Sequence, residues 1–168
     1  MAGELISEEL AERYDLSQFH SGKTELDDWL RHFAHHAKDN RTGRTFVWHD
    51  GRGVVVAYYT LVGHEVARDD LPRKVSRGSP DRIPAVLLAR LALDHRFHSR
   101  GLGAELLVEA LTKAVEASHT VAARVVVVDA IDDEAATFYT HYGFIAIPTN
   151  PHRLVQKMSA IESAYYDT

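Results

Sequence analysis

The segment Leu87-Leu-Ala-Arg-Leu-Ala-Leu-Asp-His-Arg-Phe-His-Ser-Arg-Gly-Leu-Gly-Ala-Glu-Leu-Leu107 restricts the fold more than any other part of the chain. It reads as a buried strand, a basic turn with two glycines, and the first turns of a helix. Gly101 and Gly103 remove the Cβ atoms that would keep a ligand off the backbone, and the uncapped amides of the helix point N–H groups at an anion. Arg96, His98 and Arg100 add positive or protonatable charge. Such a turn suits a phosphate-bearing ligand. The spacings G-x-G-x-x-G and G-x-x-x-x-G-K-[ST] do not fit it, so the turn alone leaves the ligand open.

A second strand and helix follow in Val125-Val-Val-Val-Asp-Ala-Ile-Asp-Asp-Glu-Ala-Ala-Thr-Phe-Tyr-Thr-His-Tyr-Gly-Phe144. Strand, helix, strand implies a parallel pair joined by a crossover. Before them, residues 45–49 and 54–62 flank an Asp-Gly-Arg-Gly turn, the best hairpin signal in the chain. Parallel and antiparallel pairing together predict an α/β fold of mixed-sheet (α+β) type. The remaining expectations are a short strand at 4–6, a helix from Thr24 with Leu26, Trp29, Leu30, Phe33 and Ala37 on one face, and a polar surface excursion at 68–84 with one helical turn. Strands at 85–93 and 124–130, helices at 103–117 and 133–141, and short strands at 144–147 and 154–158 complete the list. The tail at 159–168 packs on the sheet or receives a partner.

The length of 168 residues suits a single domain spanning 1–168. No apolar run reaches membrane-span length, and the first residues lack the pattern of a signal peptide. No cysteine is present, which excludes disulfides, thiolate zinc sites and catalysis through a protein thiol. A cytoplasmic setting is expected. The eleven histidines show no metal-ligand spacing: His32, His35 and His36 fit a polar helix face, so no metal is expected. A formal charge of −5 requires any nucleic-acid role to rest on a local basic surface.

The two strand–helix segments together resemble the GNAT superfamily of acyl-CoA-dependent N-acetyltransferases. The carrying motifs are His98-Ser-Arg-Gly-Leu-Gly103, similar to the family's Gln/Arg-x-x-Gly-x-Gly/Ala loop, and Phe138-Tyr-Thr-His-Tyr-Gly-Phe144, similar to its Phe-Tyr-x-x-x-Gly-Phe. His98 stands where Gln or Arg is usual, and Asp132 where Asn often precedes Ala135 by three residues. The resemblance implies a GNAT fold, a central mixed β-sheet with splayed parallel strands flanked by helices, and acetyl-CoA as acetyl donor. It also implies cofactor contacts from the backbone of Leu91, Ala92 and Leu93, from the loop His98, Ser99, Arg100, Gly101, Leu102, Gly103 and Ala104, and from Asp132, Ala135 and Phe138.

Acetyl transfer to an amine needs a neutral nitrogen and a proton for the departing thiolate. The resemblance implies Tyr139 as that donor; read without it, Tyr139 is a core aromatic beside Phe138 and Tyr142. A phenol near pKa 10 and a thiol near 8.5 put full proton transfer uphill by only about 1.5 units, roughly 2 kcal/mol. No general base stands out: Asp94 reads as a turn or cap residue before it reads as a base, and Glu65 is no stronger. A site without a base suits an amine that is already largely neutral. An aminoacyl ester fits that description better than lysine.

Blocks along the chain, among them Phe19-His-Ser-Gly-Lys-Thr-Glu-Leu-Asp-Asp-Trp-Leu30, Gly43-Arg-Thr-Phe-Val47, Leu87 to Asp94 and Pro148-Thr-Asn-Pro151, resemble the toxin branch of GNAT enzymes in type II toxin–antitoxin systems. That branch acetylates the α-amine of aminoacyl-tRNA, stops translation and is restrained by a ribbon-helix-helix antitoxin; a homodimer is implied as well. Arg73, Lys74, Arg77 and Arg82 against Asp81 make a local excess of positive charge, so Arg73, Lys74 and Arg77, with Arg90 on the next strand, are candidate tRNA contacts. Composition alone also permits a solvated loop there. Arg90, a charge inside an apolar strand, is expected to face a cleft or an acid. Two alternatives stay open: acetylation of a small amine or protein amino group, and a non-catalytic acyl-CoA-binding component of an antitoxin repressor complex.

Overall fold

A computed structural model describes residues 4–166; residues 1–3, Asp167 and Thr168 lie outside the described residues, and with them the first residues of the leader reading and the end of the tail. The strands are β1 (Ile6–Glu9), β2 (Arg44–His49), β3 (Val55–Ala67), β4 (Arg82–Leu93), β5 (Val125–Asp129), β6 (Ile145–Ile147) and β7 (Asn150–Lys157). The helices are α1 (Thr24–His32), α2 (Ala34–Asp39), α3 (Arg73–Ser76), α4 (Leu102–Ser118), α5 (Asp133–His141) and α6 (Met158–Tyr166). The strands form a seven-stranded sheet in the order β1-β2-β3-β4-β5-β7-β6. β4 and β5 pair in parallel, while β1–β2, β2–β3, β5–β7 and β6–β7 are antiparallel, so the mixed sheet expected from the sequence is present. The parallel ladder joins Ala85–Leu88 to Val125–Val128, and β4 continues beyond it to Leu93.

The chain forms two compact units, residues 1–62 with 90–109 and residues 63–89 with 110–168. The first has a core of Leu10, Tyr14, Phe19, Leu30, Ala34, Val47, Val55, Tyr58 and Ala92. Its helical segment differs from the expectation. One continuous helix through residue 37 would turn Phe33 inward, but the backbone leaves helical geometry there (φ −126°) and α2 starts afresh. The break puts Ala34 into the core and leaves Phe33 55% exposed. Dipole complementarity supports α1, with Glu25 and Asp27 in its first turn and Arg31 and His32 in its last.

In the second unit Val66, Leu71, Val75, Ile83, Ala85, Val125, Val127, Ile147 and Val155 pack together. Leu71 and Val75 belong to the stretch expected to be a polar excursion. They anchor it, with α3 as its single α-helical turn, and Arg68 N–H donates to the Asp81 carbonyl at 2.9 Å to close it. β4 therefore starts at Arg82, earlier than expected. β7 also starts early, at Asn150, with Pro151 inside it. The β6–β7 register slips between Ala146 and Ile147, so Pro151 sits where the ladder is irregular and a missing N–H is tolerated.

α5 shows why its sequence makes a short, well-bounded helix. Asp132 caps its start by accepting the Ala135 N–H at 2.9 Å, with Asp133 and Glu134 following in the first turn. At its end Gly143 N–H donates to Thr140 C=O and Phe144 N–H to Tyr139 C=O, both at 3.1 Å, the paired bonds of a Schellman cap. That cap needs a left-handed residue, and Gly143 supplies it at φ +96°. The Gly-Phe of the aromatic motif is thus a helix stop.

Candidate active site

Leu91, Ala92 and Leu93 form the end of β4, the latter two buried, and the chain then turns at Asp94. Asp94 is fully buried. Its carboxylate accepts Arg96 N–H at 3.0 Å, Arg96 Nε at 2.8 Å and the His20 N–H at 3.0 Å. Burial pushes its pKa up, but the Arg96 side-chain and backbone bonds and the His20 amide outweigh that, and the carboxyl is held below the usual range. Asp94 is therefore a turn-organising anion and not a base, the first of the two roles its position permitted. Glu65 is exposed and paired with Arg82 at 2.6 Å.

The loop that follows is held by its own hydrogen bonds. A 3-10 turn spans His95–Phe97, and His98 Nε2–H donates to the Leu93 carbonyl at 2.7 Å. His98 thus braces the loop against the strand end. Ser99 (φ 63°) and Gly101 (φ 75°) both take the left-handed conformation. A Cβ on Gly101 would meet no atom within 4 Å, so the space above it is open to a ligand. Arg96 and Arg100 lie 5.9 and 5.5 Å from the Phe97 ring and are exposed. Leu102, Gly103 and Ala104 are the first residues of α4, whose opening amides have no carbonyl partner within the helix. No acidic side chain occurs between residues 95 and 104. This donor set fits a pyrophosphate.

In the second unit Asp132 and Ala135 form the α5 cap. Phe138 packs at 5.4 Å from Tyr139 and 5.1 Å from Tyr142. Tyr139 is 6% exposed and stands edge-on to Phe144 at 5.7 Å. Burial raises its pKa far above the ordinary phenol value. The hydroxyl is therefore a firm proton holder, better suited to donating a hydrogen bond to a thiolate than to complete transfer, for which the uphill step is larger than ordinary pKa values suggest.

Arg73, Lys74 and Arg77 are exposed on and just after α3, and their side chains form no ion pair among the described residues. Arg82 is held by Glu65 and Arg68 by Asp81 (2.7 Å), so the available positive charge on this stretch is concentrated on those three. Arg90 is half-buried, with its guanidinium 4.3 Å over the Trp29 ring. It faces a cleft, as its place in an apolar strand requires. Two features were missed from sequence: Trp29 and Phe33 as cleft residues, because helical spacing assigned both to the core, and the pairing of Arg153 with Asp129 at 2.8 Å beside His64. Among the described residues no group of three His, Asp or Glu side chains could hold a metal ion.

A family model described as an acetyltransferase (GNAT) domain matches residues 74–160. The chain belongs to the GNAT family of acetyl-CoA-dependent N-acetyltransferases. Within it, the chain is similar to the tRNA-acetylating toxin of Mycobacterium tuberculosis, with 38% identity covering 94% of this chain and 95% of that one. The structure of AtaT complexed with acetyl-methionyl-tRNAfMet superposes with a TM-score of 0.89 at 30% identity, covering 96% of this chain and 99% of AtaT. A tyrosine-to-phenylalanine variant of the AtaT toxin, bound to the C-terminus of the antitoxin AtaR and acetyl-CoA, gives 0.83 at 28% identity over 96% and 98% of the two chains.

Proposed function

We propose that this chain is a toxin that transfers acetyl from acetyl-CoA to the α-amine of aminoacyl-tRNA and so blocks translation. The observation that carries this reading is the 38% identity, over nearly all of both chains, to a tRNA-acetylating toxin. The acetylated aminoacyl-tRNA held by AtaT supports it. An α-amine titrates near 8, and the neighbouring ester lowers it further, so the amine is substantially neutral at pH 7 without a base. That agrees with Asp94 being committed to its turn.

Acetyl-CoA supplies the thioester carbonyl that the amine attacks and the thiolate that leaves. In this reading the loop from His98 to Ala104 and the first amides of α4 hold the pyrophosphate, with Arg100 adding charge. Backbone groups of Leu91, Ala92 and Leu93 receive the pantetheine arm. Tyr139 donates its O–H to the leaving sulfur, while Asp132, Ala135 and Phe138 set the position of α5 and the ring. Arg73, Lys74, Arg77 and Arg90 bind tRNA phosphates. A ribbon-helix-helix antitoxin, a homodimer and a cytoplasmic setting complete the proposal.

The test is to incubate purified protein with radiolabelled acetyl-CoA and a charged total tRNA pool, with deacylated tRNA as control. Label is expected in the charged pool alone. No label from protein that binds acetyl-CoA would overturn the reading.

A further inference from the structure

A cavity of about 300 Å³ lies within the first unit, lined by residues of α1 and α2, the turn before β2, the middle of β3, and Arg90. Trp29, Phe33, Ala37 and Val62 make its walls largely apolar, with Thr42 and Thr60 adding hydroxyls. Its ionisable groups are Arg90 and His36, and no acid lines it. Two features are unusual for a structural void. Phe33 is turned out of the core by the break between α1 and α2 and is 55% exposed at the cavity. Arg90 is half-buried, stacked on Trp29 and drawn electrostatically toward Tyr58 and Glu25, yet its guanidinium forms no hydrogen bond or ion pair among the described residues.

A partly desolvated guanidinium with its N–H donors unused calls for an anion with planar, multiple acceptors. An exposed ring at the same cavity calls for a flat apolar partner. A neutral amino-acid side chain would satisfy the ring and leave the cation unpaired, and a cationic one would face the Arg90 guanidinium. A nucleotide satisfies both, and the volume, at the small end for ligand sites, admits one nucleoside and not a duplex. We infer that this cavity receives one nucleotide of a single-stranded RNA end, its base against Phe33 and its phosphate on Arg90. The inference rests on the tRNA reading and deepens it by naming where an unpaired residue of the acceptor end is held.

The test uses an uncharged, fluorescein-labelled single-stranded oligoribonucleotide ending in CCA, so that binding is read without acetylation. Phe33→Ala should weaken it about 10-fold or more, within the usual range for loss of one base stack. Phe33 is exposed, so the variant keeps its core. Arg90→Gln should weaken binding and reduce the salt slope by about 0.7, the value for one phosphate of a single strand, while Arg90→Lys retains that slope. Acetyl-CoA affinity, measured alongside, should be unchanged in all three. Unchanged oligonucleotide binding in Phe33→Ala and Arg90→Gln would overturn the site, as would equal affinity for an oligonucleotide with abasic 3′ residues. Displacement by an acidic peptide but not by adenosine monophosphate would overturn it in favour of a protein ligand. Loss of oligonucleotide binding in the variants, with wild type unable to acetylate charged tRNA, would refute the reaction and still support the site.

Discussion

Asp94 and Tyr139 are both buried oxygen acids, and their surroundings drive them in opposite directions. Hydrogen bonds from Arg96 and His20 hold the Asp94 pKa down against its burial, whereas burial alone raises that of Tyr139. Because the Asp94 pKa is held below its ordinary value near 3.8, its stabilisation is complete above that pH and is lost as pH falls through the lower folded value. Asp94→Asn should cost about 2 kcal/mol near neutrality, in the range for charge-assisted bonds, and urea midpoints of wild type and variant should converge at acid pH. A constant gap between the two curves down to the acid limit would contradict this. Tyr139→Phe should bind acetyl-CoA normally and lose about 100-fold or more in turnover, the usual worth of a positioned acid. Steady-state kinetics with full activity would remove Tyr139 from the reaction.

At the scale of elements, α5 was readable to the residue because its stop and start are written locally, Asp132 at one end and Gly143 at the other. Gly143→Ala tests that stop: the added Cβ would lie 2.9 Å from Gln156 Nε2 in a backbone region costly for alanine. A loss of about 1–2 kcal/mol is expected by thermal or chemical denaturation, and an unchanged midpoint would mean the cap is not required. The hairpin and the parallel pair were equally legible, being carried by a local turn and by runs of valine. The break at Phe33 was not. Helical periodicity rewards putting Phe33 inward, and only the packing of Ala34 against strands distant in sequence decides otherwise. The same holds for Arg90, whose partner Trp29 lies on another element, and for the early start of β7, where Pro151 is admitted by a register slip that no local pattern announces.

Taken whole, the chain carries a net charge of −5, yet Arg73, Lys74 and Arg77 stand exposed together without acidic partners among the described residues. Reversing these three to glutamate should weaken tRNA binding and flatten its dependence on salt, by about 0.9 in slope for each phosphate contact to duplex lost, with acetyl-CoA affinity retained. Filter binding across a salt series measures it, and an unaltered slope would place the tRNA contact elsewhere. The turn after β4 is fastened at several points. The ring of His98 is fastened to Leu93, Asp94 is saturated with donors, and Ser99 and Gly101 are already in left-handed conformations. Such a loop has little disorder left to surrender on meeting its ligand. Association with the CoA diphosphate should therefore proceed as a single fast encounter, without a slow ordering phase, and differences among acyl donors should be expressed in how long they stay.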